Sequence, residues 1–265
     1  MDERERRFRR AECMQADAII LNWNRPGHLL RHTIPTLLDC DGIRHIIVSH
    51  GKEDTYFESP DPRVECHRHF DLNAVHGLSL RFYCRIHVKT DAVLILDDDQ
   101  IIQADHVHQL LESYESQPER IHGFYPRYAF HSLQGINYGW KEIMHKYVLD
   151  PLFIWQFVRG RLKPCMVLTA MMIAPKPALD AFWSEKHRVE YFVKEHSVPL
   201  WNGEDIFLNL LYLARTGLLP VAIEPCVALL KTPESHRGIS GNKPFHGTYR
   251  RAFFRHVCET LSLRL

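Results

Sequence analysis

The sequence predicts an α/β fold: a parallel sheet with helices on both faces, in a single domain. Three observations predict it. Apolar runs of strand length alternate with amphipathic helical runs through the first half of the chain, the pattern of a parallel sheet. The acidic triplet Asp97-Asp98-Asp99 ends one of those apolar runs, where open α/β sheets bind their ligands. The 265 residues, 45% hydrophobic and 25% charged, can bury a substantial core, and no linker, repeat or low-complexity stretch divides them.

The elements follow in order. A charged leader spans residues 1–16, and the domain is expected over 17–265. Asp17 to Asn22 is a short buried strand running into the turn cluster Trp23-Asn24-Arg25-Pro26-Gly27. Pro26 suits the first turn of the helix that follows to Leu38, where a missing N–H costs nothing. Ile43 to Ser49 is the second strand, Val64 to His67 the third, and Leu72 to His87 the next helix. Asp91 to Asp99 (DAVLILDDD) is an apolar strand ending abruptly in acids. A helix from Asp105 to Ser116 has Asp105 as its cap. A short strand lies within Ile121 to Tyr128, His131 to Lys163 reads as irregular and aromatic-rich, and Met166 to Ala174 reads as one apolar strand. Helices are expected from Pro177 to Ser184 and from Ile206 to Arg215, the latter opened by Gly203-Glu204-Asp205. Pro220 to Ile223 is a strand, Lys231 to Pro244 a Pro/Gly/Ser-rich loop, and Thr248 to Leu261 the last helix.

Composition excludes several functions. With 33 basic and 32 acidic side chains, net charge +1, there is no bulk footprint for nucleic acid or a membrane surface. Seven cysteines without a CxxC pair make a zinc site or a disulfide framework improbable. The 18 histidines are scattered, with no pair at clear metal-ligand spacing, and read as surface or hydrogen-bonded core residues. No apolar run reaches the ~20 residues of a membrane span, and none behind the leader makes a signal peptide. A cytoplasmic location is expected, or the Golgi lumen if an N-terminal anchor has been removed.

The triplet carries the chemistry. Three carboxylates at the end of a buried strand repel one another, and a divalent cation with oxygen ligands, Mg²⁺ or Mn²⁺, relieves that. Alternation along the strand aims Asp97 and Asp99 to one side and Asp98 to the other. Such a metal would bridge the phosphates of a nucleoside diphosphate. A solvated acidic turn is the bland alternative; the early DxDxT of dehalogenase-like phosphatases does not match the following Gln100-Ile101-Ile102. The second signal is NGEDIFLN, Asn202 to Asn209, where Glu204 and Asp205 could be no more than dipole-stabilised acids at a helix start. A glycosyl transfer would need such a carboxylate on the acceptor side. Tyr138, Trp140, Trp155 and Trp201 are candidates for stacking on a sugar, although core packing is the commoner role. Met171-Met172 and the apolar side of Ile206 to Leu213 read as core. Arg237 in the late loop is a candidate anion contact, and His236 is disfavoured as a metal ligand.

Taken together these segments resemble the exostosin-type catalytic domain of glycosyltransferase family 64. The resemblance rests on Arg81-Phe82, DAVLILDDDQII, Gln117-Pro118-Glu119-Arg120-Ile121 with Gly123-Phe124, Tyr125-Pro126-Arg127-Tyr128, Met166-Val167-Leu168-Thr169-Ala170 and NGEDIFLN, in family order. It implies the GT-A fold, a Rossmann-like nucleotide-sugar-binding sheet. It implies Mn²⁺ (or Mg²⁺) held by Asp99 with Asp97, and a UDP-sugar donor contacted by Asn24, Arg25, Arg81, Asp97, Asp98, Asn202 and His246. Asp205 matches the catalytic-site aspartate, with Glu204 beside it, and Arg250 or Arg251 would reach the diphosphate. The reading is transfer of an N-acetylhexosamine-type sugar from UDP to a carbohydrate or glycan acceptor, with retention. An inverting enzyme using Asp205 or Glu204 as base, and a nucleotide-sugar-binding protein without turnover, are the alternatives. Two departures stand out. Gly203 occupies the place of a family cysteine whose disulfide partner would fall in Arg251-Ala252-Phe253-Phe254, and Ser49-His50-Gly51 replaces the family's W-N-N.

Overall fold

The computed structural model describes residues 14–133, 135–139, 147, 149–197, 200–232 and 243–265, with 243–246 as backbone only. Most of the expected leader, residues 1–13, lies outside the described residues. The strands are β1 (Ala16–Asn22), β2 (Ile43–His50), β3 (Val64–Arg68), β4 (Ala92–Asp97), β5 (Gln100–Ile101), β6 (His122–Gly123), β7 (Pro126–Ser132), β8 (Gly135–Gly139), β9 (Pro164–Val167), β10 (Met171–Pro175), β11 (Val221–Ala222) and β12 (Leu230–Lys231). The longer helices are α1 (Ala104–Ser116), α2 (Pro151–Val158), α3 (Lys176–Glu185), α4 (His187–His196), α5 (Glu204–Thr216) and α6 (Lys243–Thr260).

The main sheet has seven strands in the order β11-β6-β10-β4-β1-β2-β3. Its centre is β1, parallel to both β2 and β4. All seven residues of β1 are buried, because a central parallel strand is covered on both faces and must be apolar almost throughout. Alternation then divides the core in two. Ile19, Leu21, Ile47, Val93 and Ile95 face one way, against α3, α5 and α6. Ala18, Ile20, Ile46, Val48, Leu94 and Leu96 face the other, against α1 and the helical run that ends at Leu38. The α/β expectation is borne out, and Met171, Met172 and Ile206 to Leu211 are core as read.

The sheet is not wholly parallel: β10 runs antiparallel to both β4 and β6. The expected strand Met166 to Ala174 is two strands in different sheets. It breaks where the Leu168 N–H donates to the Tyr125 carbonyl (3.1 Å) and the Asp97 N–H donates to the Ala170 carbonyl (3.2 Å). The irregular stretch after His131 contains the β7–β8 hairpin and α2, whose N-cap Asp150 accepts from the N–H groups of Leu152 and Phe153. The expected helix Leu72 to His87 is broken at Gly77, which has φ +48° and packs against the Leu200 carbonyl. Asp105 is not a cap; Gln103 and His106 form a reciprocal capping box at the start of α1.

A second sheet, β8-β7-β9, packs through Ala129, Ile136, Tyr138, Cys165, Met166 and Val167 on the same core as α5 and α6, so both sheets belong to one domain. Gly217, in the left-handed region at φ +73°, ends α5.

Candidate active site

The acids of the triplet stand at the carboxyl end of β4, beside the end of β1. Asp97 accepts a hydrogen bond from Arg81 Nη1 at 2.5 Å. Asp99 accepts from Gln100 Nε2 at 2.6 Å, and Lys231 Nζ lies 3.4 Å from its other oxygen. Asp98, in the turn just beyond β4, points elsewhere. It is 5% exposed and accepts from the N–H groups of Trp23 (2.9 Å) and Asn24 (3.1 Å) and from Arg25 Nη1 (2.6 Å). Burial pushes the Asp98 carboxyl up, and Arg25 with the two N–H groups pulls the other way. Asp98 therefore shapes the turn after β1, with Arg25 buried against it and Asn24 exposed.

Arg81 joins the triplet to the second motif. Its Nη1 holds Asp97 and its Nη2 lies 3.7 Å from Glu204 Oε1. Glu204 opens α5 and also accepts from Thr169 Oγ1 (3.4 Å) and the Gly203 N–H (3.1 Å). Burial pushes the Glu204 carboxyl up, against the pull of Arg81. The next residue, Asp205, is gripped by Arg250, whose Nη2 reaches both carboxylate oxygens at 2.8 and 2.6 Å. Arg250 further donates to Tyr138 Oη (2.9 Å) and Asn202 Oδ1 (3.2 Å). Asp97, Arg81, Glu204, Asp205 and Arg250 thus form one charged chain from four separate segments, in which each arginine holds the acids beside it.

Helix register sets Arg250 and Arg251 in different surroundings. Arg250 faces Asp205, and Arg251 is on the exposed side of α6. His246 falls where only the backbone of α6 is described, and Trp140, His236 and Arg237 lie outside the described residues. Trp201 is 1% exposed, packed against Phe182 and Phe207 with ring centroids 5.4 and 6.4 Å away, so it is core and not a stacking platform. Trp155 is exposed on α2, and Tyr138 stacks on Phe254. Sequence reasoning missed the contacts of Thr169 with Glu204, of Lys231 with Asp99 and of the Tyr138 hydroxyl with Arg250; each arises only through tertiary packing.

Where the resembled family carries a cysteine, Gly203 adopts φ +141° and packs directly on the Phe253 ring. A Cβ built there would lie 2.6 Å from Phe253 Cδ1, so an aromatic ring fills the place of the bridge. Strain at a backbone conformation that side chains rarely adopt and overpacking each cost ~1–3 kcal/mol. Gly203→Ala is expected to lower the unfolding free energy by about 3 kcal/mol in urea denaturation; a loss below ~1 kcal/mol would show that this contact is loose.

The chain is similar to several known proteins. A family model described as "Glycosyl transferase family 64 domain" matches residues 17–261. Glucosamine inositolphosphorylceramide transferase 1 of Arabidopsis thaliana is 28% identical over 234 residues, covering 84% of this chain and 26% of that protein. Its counterpart from Oryza sativa subsp. indica is 27% identical over 183 residues, 65% of this chain and 21% of that protein. The chain thus spans about a quarter of the length of these curated relatives. Among solved structures, glucosyl-3-phosphoglycerate synthase from Mycobacterium tuberculosis, in complex with Mn²⁺, UDP and glucosyl-3-phosphoglycerate, superposes with a TM-score of 0.55. At 13% identity it covers 97% of this chain and 83% of that one, a likeness of fold.

Proposed function

The chain belongs to glycosyl transferase family 64, and from that premise we propose that it transfers an amino-hexose or N-acetylhexosamine unit from a UDP-sugar to a glycan acceptor, with retention of configuration. The observation that carries this reading is the joining of the triplet to the Glu204-Asp205 turn through Arg81. It sets the acids proposed for the donor beside those proposed for the acceptor.

The donor set at the triplet fits a hard divalent cation. Asp97 and Asp99 offer carboxylate oxygens at the strand end, and Lys231, the cation beside Asp99, is half exposed and able to swing away. When bound, Mn²⁺ or Mg²⁺ would supply Lewis-acid stabilisation of charge on the leaving diphosphate. Asp98 and Arg25 hold the Trp23–Arg25 turn as a rigid wall, with Asn24 free to meet the base or phosphate. Arg250, fixed by Asp205 and Tyr138, presents a preorganised cation for the diphosphate without reorganisation during the reaction.

Retention is favoured by the state of the two acids. Both Asp205 oxygens accept from Arg250, and both Glu204 oxygens have partners, so neither is poised as a base. In this reading the leaving diphosphate takes the acceptor proton, and Asp205 stabilises positive charge at the reacting carbon. The test is a thermal-shift panel of nucleotide sugars with and without Mn²⁺. Ligand at 100 times its Kd adds about 2.7 kcal/mol of stability, and a UDP-amino-hexose is expected to give that shift only with metal. No shift with any nucleotide sugar would sink the donor assignment; a shift without transfer would favour a binding protein. The anomeric configuration of the product, by NMR, separates retention from inversion.

The acceptor is proposed to be presented at a membrane, as the relatives' name, with its inositolphosphorylceramide, suggests. α2 exposes Leu152, Ile154, Trp155, Phe157 and Val158, and exposed Arg159, Arg161 and Lys163 follow directly. An apolar helix face bordered by cations suits the boundary of an anionic bilayer. α2 packs through Phe153 on Tyr128 and Phe130 of β7, and β7 pairs with β8, which carries Tyr138 to Arg250. The near-zero net charge hides this local patch. No helix among the described residues is long and apolar enough to cross a membrane, so contact would be interfacial. Each cation near an anionic surface contributes ~1 kcal/mol, so replacing all three with alanine is expected to weaken vesicle binding roughly 100-fold. Equal co-flotation of the wild type and this variant would remove the surface.

A further inference from the structure

β3 is an edge strand of the main sheet, five residues long and paired only with β2. Its register with β2 sets Glu65 opposite Ile47 and His67 opposite Ser49. Ile47 belongs to one core face, so alternation places Glu65, His67 and the following His69 where that face runs out at the edge. His45 joins them from β2, and His87 comes from the turn Cys84–His87. The result is five ligand-type side chains, none of which the transfer chemistry uses.

The geometry is close. One ring nitrogen from each of His67, His69 and His87 lies within 4.8 Å of the others. The His67 and His87 rings are stacked with centroids 3.8 Å apart, and His67 and His69 at 5.3 Å. Glu65 Oε2 is 3.7 Å from both His67 Nε2 and His45 Nε2. Four atoms here are buried without a hydrogen-bond partner: His45 Nδ1, Glu65 Oε2, His67 Nε2 and His87 Nε2. Buried polar atoms are normally satisfied, so a concentration of orphans at one place calls for a cause.

We propose that His67, His69 and His87, with Glu65 as fourth ligand, form a binding site for Zn²⁺ or a similar borderline divalent cation, distinct from the acidic triplet. Three imidazoles and one carboxylate are the donor set of a tetrahedral zinc site, whereas Mn²⁺ and Mg²⁺ favour oxygen. Metal–nitrogen bonds of ~2.0–2.1 Å in a tetrahedron separate the ligand atoms by about 3.3 Å, so modest side-chain rotation closes the site. Ser49 Oγ lies 3.0 Å from His69 Nδ1; it fixes that ring and leaves Nε2 for the cation. β3 and β4 are separated by β1 and β2, which puts the site about 14 Å from the triplet at ordinary strand spacing. A metal here ties the edge strand to the segment just after Arg81, and so steadies the donor side from behind.

The test is cobalt(II) titration of the metal-stripped full chain, because tetrahedral cobalt absorbs strongly in the visible whether or not sugar is transferred. One tetrahedral cobalt per chain, displaced by zinc, is expected for the wild type and for Asp99→Ala. His67→Ala and His87→Ala are each expected to abolish the band, and Ser49→Ala to weaken affinity ~10–100-fold, as loss of a ligand's hydrogen-bonding partner does. Circular dichroism of the stripped variants reports folding; His67→Gln, closer in shape, must also lose the band. A wild type without the tetrahedral band, or a band that survives in both histidine variants, overturns the site. Loss of the band in Asp99→Ala would overturn its independence from the triplet.

Discussion

Asp205→Asn is expected to lower the rate of sugar transfer by ~10²–10³-fold while metal-dependent binding of the UDP-sugar persists. The substitution keeps shape and removes charge at the acid that both grips Arg250 and faces the reacting carbon in the proposed mechanism. A buried arginine left with Tyr138 and Asn202 as partners loses its preorganised position, so stabilisation at the transition state falls and ground-state binding changes little. Asp205→Glu separates charge from placement: it restores the ion pair, and with it stability, but moves the carboxylate by a methylene and still transfers poorly. Asp99→Ala is expected to behave differently and to lose the Mn²⁺-dependent thermal shift itself. Full transfer by Asp205→Asn would falsify the catalytic assignment; full metal-dependent binding by Asp99→Ala would move the cation elsewhere.

Arg81→Ala is expected to cost about 3–5 kcal/mol of stability, the usual consequence of removing one partner from a buried charged group. Arg81 and Glu204 are both about 5% exposed, and the arginine spans two acids that would repel each other without it. The pH dependence has a definite sign. Burial already holds the folded Glu204 carboxyl above its ordinary value, and loss of Arg81 raises it further. A carboxyl that binds its proton more tightly in the folded chain favours folding at low pH, and this advantage fades as pH rises past its unfolded value. The deficit of the variant is therefore larger at pH 8 than at pH 5, measurable by urea denaturation at the two values. A deficit below ~1 kcal/mol, or one that grows on acidification, would mean that Glu204 does not depend on Arg81.

Much of this was legible in local pattern. β1, β2 and β4 announce themselves because strands covered on both faces need unbroken apolar runs. α5 is legible because its acids, its glycine and its terminal Gly217 sit at the positions that helix ends require. The triplet is legible as the acidic end of an apolar strand, but β4 stops at Asp97 and the turn that follows, not strand alternation, gives the three acids their separate partners. Where a short apolar run joins two strands, pattern fails: Met166 to Ala174 reads continuously, yet the hydrogen bonds at Leu168 and Ala170 send its halves into different sheets.

Adjacent residues on a helix differ by about 100° in direction, so Arg250 and Arg251 are equivalent in sequence until packing of α6 turns one inward. Trp201 resembled a sugar platform by its place beside the turn, and the space between Phe182 and Phe207 made it core. The histidines looked scattered because His67 and His87 lie on separate elements, and only the edge of the sheet brings their rings together. The sequence alone determined the fold class, the carboxylate-bearing strand end and the acidic helix start, since each depends on the periodicity of one segment. The tertiary structure decided which charges pair, which aromatics are buried and which histidines meet, because those depend on contacts between segments far apart in the chain.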